Sequence, residues 1–276
     1  MKVQQIWRYP VKSMAGERIP TTPVGERGVA GDRAFALRQD ENTRNAKKFP
    51  GLMGLRARYE TEPGLERVPA PLITFEDGTS LYADDPAAAA QVSDFVGATV
   101  SINQLVPASD SEFYRRRERR SLEESRAILG LVDGEPLPDL SGFPPQLAEF
   151  STPPGTFFDC FPILVLTTSS LRALQSAAPD SAIDVRRFRP NILVENDETG
   201  FIENAWRGRK LHIGSAIFSL TLPCPRCVMT TIGFHDLPRD TGIMRSLVRA
   251  TGQNFGIYAE VEQAGNISEG DEVVLV

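Results

Sequence analysis

Between Ile217 and Leu222 apolar and polar side chains alternate, with Phe218, Leu220 and Leu222 facing one way and Ile217, Ser219 and Thr221 the other. That two-residue period is the signature of a half-buried strand. Short stretches rich in β-branched and apolar residues, bounded by Gly, Pro and Asp/Asn turns, predict further strands over Val3 to Arg8, Ala34 to Arg38, Thr99 to Leu105, Ile163 to Leu166, Asn191 to Glu195, Gly256 to Glu262 and Glu272 to Val276. Helical signals are fewer. Asp85 and Pro86 open a helix that runs through Ala87 to Val96 and is stopped by Gly97. Ser111 to Leu129 is a second helical stretch, and Leu171 to Ala178 and Ile243 to Ala250 are shorter ones. The pattern describes a mainly β chain with α elements, an α+β fold.

The stretch from Val106 to Phe161 differs from both flanks. It joins a charged helical segment to the run Asp133-Gly134-Glu135-Pro136-Leu137-Pro138 and on to Pro153-Pro154-Gly155. We read it as a connection (107–160) between an N-terminal domain (1–106) and a second domain (161–276). At 276 residues with 41% hydrophobic content, the chain is long enough for two cores. Acidic residues exceed basic ones, 36 to 30, for a net charge of −6, which argues against nucleic acid as a main partner. No apolar run approaches the roughly 20 residues needed to cross a bilayer, and Met1 to Ile6 reads as a strand and not a signal peptide. With an odd count of three cysteines, a soluble cytoplasmic protein in a reducing compartment is expected.

Candidate chemistry concentrates in Leu222-Pro223-Cys224-Pro225-Arg226-Cys227-Val228-Met229-Thr230-Thr231. Pro223 and Pro225 remove two ladder donors, so the cysteines are expected on a loop or bulge at the strand's end. Four readings compete. A structural zinc site needs a second ligand pair, which Cys160, His212 and His235 do not form. A thioredoxin-like disulfide belongs in front of a helix, and no helix opening is expected here. The thiols could be small buried hydrophobes. Or one thiolate could ligate a soft metal, with Arg226 lowering its pKa or contacting an anion.

Cationic and hydroxyl groups gather near the ends of other predicted strands, in Tyr9-Pro10-Val11-Lys12-Ser13, Gly31-Asp32-Arg33 and Arg186-Arg187-Phe188-Arg189-Pro190-Asn191. Together they supply the charges and forked donors that a phosphorylated ligand needs, and their charges are expected to face that ligand and not the core. Thr167-Thr168-Ser169-Ser170 precedes a helix, where hydroxyls either bind phosphate or cap the helix. Arg115-Arg116-Arg117-Glu118-Arg119-Arg120 reads more simply as a solvated helix face paired with Glu123 and Glu124 at helical spacing than as a patch for an anionic ligand or an acidic redox partner.

In order, YPVKSMAGERI, GVAGDRAFAL, LTTSSL, RRFRPNILVE, FIENAWRGRKLHIG, PCPRCVMTTI and NFGIYAEV followed by AGNISEGDEVVL closely resemble the MOSC family with its N-terminal MOSC β-barrel domain. The resemblance spans nearly the whole chain. It implies a β-barrel N-terminal domain, a MOSC β-barrel domain and a pyranopterin molybdenum cofactor whose metal is held by the cysteine of the RC motif, Cys227. It further implies that Lys12, Ser13, Arg33, Thr168, Ser169, Arg189 and Asn191 hold the pterin and its phosphate, with Arg226 and Thr230 flanking the metal. Cys224 is not assigned to the metal. The activity implied is reduction of a small N-hydroxylated substrate, Cys227 being the catalytic ligand. An alternative is a carrier that delivers sulfur or molybdenum cofactor without turnover. Some relatives continue into a plant-type ferredoxin module and the mitochondrial one carries a membrane anchor. With neither expected here, electrons are expected from a separate ferredoxin-like protein or a cytochrome or flavin reductase.

Overall fold

The computed structural model describes residues 1–118 and 120–276. Strands take up 31% of the chain and helices 23%, so both classes contribute and the fold is α+β. An eight-stranded mixed sheet dominates. Its strands lie in the order Val273–Leu275, Lys210–Ile213, Ala216–Pro225, Asn254–Gln263, Ile163–Thr167, Ile192–Glu195, Lys2–Arg8 and Glu17–Ile19. Its one parallel pair, Ile163–Thr167 beside Ile192–Glu195, is connected through the helix Thr168–Ala177, as a parallel neighbour requires a crossover. Three small three-stranded sheets complete the β structure.

Hydrogen bonding crosses the expected boundary between the two halves. The first strand pairs antiparallel with Ile192–Glu195, and Thr21–Gly25 pairs with Gly265–Ser268. Two large apolar clusters follow from this. One, with Ile6, Val165, Ile192, Phe218 and Ile257 fully buried, covers the large sheet. The other contains Val11, Met14, Leu37, Leu52 and Ile73 from the N-terminal half, and Met229, Phe234 and Leu237 from the far end of the chain join it. The segment after Cys227 is thus anchored in the N-terminal core, which brings the candidate chemistry of both halves to one place.

Local signals explain the helices. Asp85 accepts a hydrogen bond from the amide of Ala87, Pro86 needs no donor in the first turn, and Gly97 closes Pro86–Val96 in the left-handed conformation (φ 68°). The single helix expected over Ser111 to Leu129 is instead a short 3-10 turn, Ser111–Tyr114, and a separate helix, Leu122–Leu129. A tertiary contact and a cap divide them. Arg115 forms a β-bridge with Phe150, and Ser121 with Glu124 builds a capping box that starts the second helix. Arg119, between them, lies outside the described residues.

Replacing Asp85 with alanine should lower stability by about 1 kcal/mol through the lost cap. Chemical denaturation measures this. Unchanged stability would mean that the cap contributes nothing to the helix.

Candidate functional site

Prolines disturb the strand that leads to the cysteines without ending it. Ala216–Pro225 keeps pairing with Asn254–Gln263, but the register shifts between Leu220 and Pro223 and again between Pro223 and Pro225. Cys224 is therefore a strand residue at these register shifts, 2% exposed, so of the two placements expected it takes the bulge and not the loop. Burial pushes its thiol up, although Arg226 opposes this by donating from Nη1 to its sulfur at 3.0 Å. Cys227 lies just beyond, half-buried. A helical turn does follow it, contrary to expectation: Cys227 occupies the N-cap position of the 3-10 turn Val228–Thr231. That turn is held by the amide and hydroxyl of Thr230, both donating to the Cys227 carbonyl, and by Met229 in the core.

Seven of the residues singled out in the sequence line one open cleft: Lys12, Ser13, Arg33, Arg189, Asn191, Arg226 and Cys227. Three of them, Ser13, Arg33 and Arg189, have positive φ angles of 72°, 47° and 55°. Left-handed backbone in residues with a Cβ costs on the order of 1 kcal/mol each, so tertiary contacts must hold these residues in place. Those contacts are visible. The Arg33 amide donates to the Tyr9 carbonyl and its guanidinium pairs with Asp32. Arg189 donates from Nη1 to the Met14 carbonyl at 2.6 Å and stacks over the Tyr9 ring at 4.1 Å. Asn191 bonds the backbone of Leu164 and Trp7, joining three strands at the cleft's edge.

These charges are more deeply set than expected. Lys12 is 5% exposed and Arg189 7%, and burial pushes the Arg189 guanidinium down to about 10. Lys12 donates to the Phe157 carbonyl and to the Asp159 carboxylate, each at 2.6 Å. Arg226 reaches the Phe188 carbonyl as well as Cys224. Even so, Arg189 Nη2 and Arg226 Nε are out of contact with solvent and have no hydrogen-bond partner. Buried guanidinium donors without partners are costly unless an anion meets them. A phosphorylated group fits that vacancy of partners, and the Cys227 sulfur in the same cleft fits a soft metal.

The sequence matches the MOSC N-terminal beta barrel domain over residues 1–99 and the MOSC domain over 153–274. The chain belongs to the MOSC family. It is 24% identical to mitochondrial amidoxime reducing component 2 of Bos taurus over 98% of this chain and 82% of that protein. It is also 24% identical to the molybdenum cofactor sulfurase of Homo sapiens, over 93% of this chain but 29% of the larger protein. Among solved structures, the YUAD protein of Bacillus subtilis aligns over 99% of this chain and 94% of its own with a TM-score of 0.45 at 11% identity.

In this MOSC protein, three of the candidate residues stand outside the cleft. Thr168 exchanges hydrogen bonds with the backbone of Asn196, and Ser169 bonds the hydroxyl of Thr167. The helix N-terminus they occupy is already filled by a side chain, since Thr167 and Ser170 donate to the carboxyl group of Glu203 at 2.7 and 2.6 Å. Thr230 is fully buried and serves the Cys227 carbonyl. Among the described residues the arginine run pairs with carboxylates other than the Glu123 and Glu124 expected. Arg115 and Arg117 pair with Glu112, Glu149 and Glu41, Glu118 with Arg44, and Arg116 bonds backbone carbonyls.

Sequence reading missed Asp159, and it named Tyr9 and Arg187 within their clusters without giving either a role of its own. Against desolvation, Lys12, Lys47 and Arg33 hold the Asp159 carboxyl well below the usual carboxylate range. Arg187, 0% exposed, donates to the carbonyls of Ala182, Ile232 and Pro238 and so clamps the chain after Cys227. Its neighbours Arg186 and Arg189 look identical in sequence, and no local signal separates the three.

Glu203 yields a pH prediction. Burial raises its pKa above the ordinary value, although the hydroxyls of Ser170 and Thr167 and the Gly256 amide oppose this. Favourable protonation in the folded state stabilises fully below the unfolded pKa and is lost as pH rises through the folded one. Glu203→Gln should therefore gain stability relative to the parent as pH rises above the ordinary carboxyl pKa of about 4, read from denaturation midpoints across a pH series. Parallel curves for the two proteins would contradict it.

Proposed function

We propose that this chain binds a pyranopterin molybdenum cofactor and reduces N-hydroxylated compounds with electrons from a separate protein. The observation that carries the reading is the pair of unpartnered buried donors, Arg189 Nη2 and Arg226 Nε, in the cleft that also exposes Cys227. Relatives named for amidoxime reduction and for molybdenum cofactor sulfuration support it, and the word component in the first name suits a protein served by others.

Cys227 would hold the metal, and Lys12, Ser13, Arg33, Arg189, Asn191 and Arg226 the pterin and its phosphate. Thr168, Ser169 and Thr230 then act at one remove, on the helix cap and the cysteine turn. When bound, the cofactor supplies two-electron chemistry at a soft metal, converting an N-hydroxyl group, two electrons and two protons to N–H and water. The protein's part is positional. Arg226 links the Cys224 sulfur to the Phe188 carbonyl, which sets the approach to Cys227. Asp159 holds the Lys12 ammonium in the cleft wall, and Tyr9 beneath Arg189 holds that guanidinium against the backbone. Tyr258, Phe161 and Phe143 form an aromatic cluster whose first two members line the cleft and limit water there.

Among the described residues no helix is long and apolar enough to cross a membrane. All three cysteines are free thiols, which supports a reducing, cytoplasmic setting. The carrier alternative rests on the sulfurase relative and uses the same thiol, so turnover separates the two readings.

Protein made in a cofactor-competent host should contain molybdenum and pterin. Cys227→Ser should lose both the metal and all turnover, whereas Cys224→Ser, which keeps an acceptor for Arg226, should retain most of each. Equal loss in both variants, or one equivalent of zinc without pterin, contradicts the assignment. Amidoxime reduction should require an artificial low-potential donor or a reductase system and fail with NADH or NADPH alone. Turnover with a nicotinamide alone refutes the division of labour, and loaded protein inert with every donor favours the carrier.

A further inference from the structure

A second groove lies on the other side of the cysteine turn. Val228, which directly follows Cys227, lines it together with Ile232, Leu131, Val132, Met244 and Pro50. Val132 is 53% exposed, so the groove presents an apolar surface to solvent. Its construction is tight where it meets the cysteine motif. A Cβ on Gly130, the left-handed residue that ends Leu122–Leu129, would meet Val228 Cγ1 at 3.2 Å. The Gln253 amide donates to the Leu129 carbonyl at 2.7 Å and the Arg226 carbonyl at 2.6 Å, tying this wall to the RC motif.

Charge in the groove has one sign. Lys47, Arg239 and Arg245 line it, and no carboxylate does. Arg245 is engaged by Glu135 and the Gly130 carbonyl. No hydrogen bond or ion pair engages the side chains of Lys47 and Arg239 among the described residues. Groove and cleft meet at the cysteine turn, since Cys227 lines the cleft and Val228, the next residue, lines the groove. Apolar walls with a few charges of one sign at their rim select a ligand by its body and fix its end by its charge.

We infer that this groove is the substrate subsite and that it takes an apolar or aromatic body bearing an anionic group, in preference to a neutral or cationic one. The N-hydroxyl end would then point past Val228 toward Cys227. The inference rests on the reductase reading for that end and on the groove's own residues for the charge preference.

Three benzamidoximes of similar shape, carrying a para-carboxylate, a para-carboxamide or a para-aminomethyl group, provide the test by calorimetric titration into the full cofactor-loaded chain. Affinity should fall in that order by about fivefold per step, the size expected for partly exposed charges. Arg239→Glu, at a residue that does not line the cofactor cleft, should abolish the first step, and Lys47→Glu with Arg239→Glu should reverse the order. KM should follow the same order while kcat stays within about twofold, as for a contact made equally in ground and transition states. Equal affinities in the parent, or an unchanged order in the double variant, overturn the inference. Reduction of all three compounds with the same KM does so too while leaving the reductase reading intact. The predicted binding order without reduction of any compound supports the groove and defeats that reading instead.

Discussion

Too many buried cations for too few carboxylates is the constraint around which this protein is arranged. Lys12, Arg33, Arg187, Arg189 and Arg226 converge on one cleft, and among the described residues only Asp32 and Asp159 form ion pairs with them. Backbone carbonyls do most of the work: those of Phe157, Met14, Phe188, Ile232 and Pro238 each accept from one of these side chains. A carbonyl fixes a guanidinium in direction but leaves its charge uncompensated, and two donors have no partner at all. Such a site is preorganised for an anion, because the ordering and desolvation are complete before the anion arrives.

The fold makes that concentration affordable by using both halves of the chain. The first strand joins the large sheet and delivers Tyr9, Lys12 and Ser13 to its edge, while the Met229 segment inserts in the N-terminal core. Cys227 sits where these two exchanges cross. Its turn is therefore held from three sides, by Arg187 through carbonyls, by Thr230 from within and by Gln253 through the Arg226 carbonyl. The thiol is presented by a rigid support although it lies outside any long element.

Legibility in the sequence followed the range of the interactions. The helix Pro86–Val96 could be read from Asp85, Pro86 and Gly97 because its signals are local, and the alternation before Leu222 marked its strand for the same reason. The grouping of Lys12, Ser13, Arg33, Arg189, Asn191, Arg226 and Cys227 came from composition near strand ends and from family resemblance, and the structure gathers all seven. Asp159 was invisible because its meaning depends on Lys12, far away along the chain. Thr168 and Ser169 looked like an anion site since nothing nearby in the sequence reveals that Glu203 fills that helix end. The break in 111–129 arose likewise, from a bridge between Arg115 and Phe150 that no periodicity encodes.

Anomalous diffraction at the molybdenum edge, from crystals of protein produced in a cofactor-competent host, tests the central claim most directly. The account predicts one molybdenum peak per chain beside the Cys227 sulfur, with phosphate density on the side of Lys12, Arg33 and Arg189. A metal shared between Cys224 and Cys227, or phosphate density at the Thr168 helix end with the cleft empty, would contradict it.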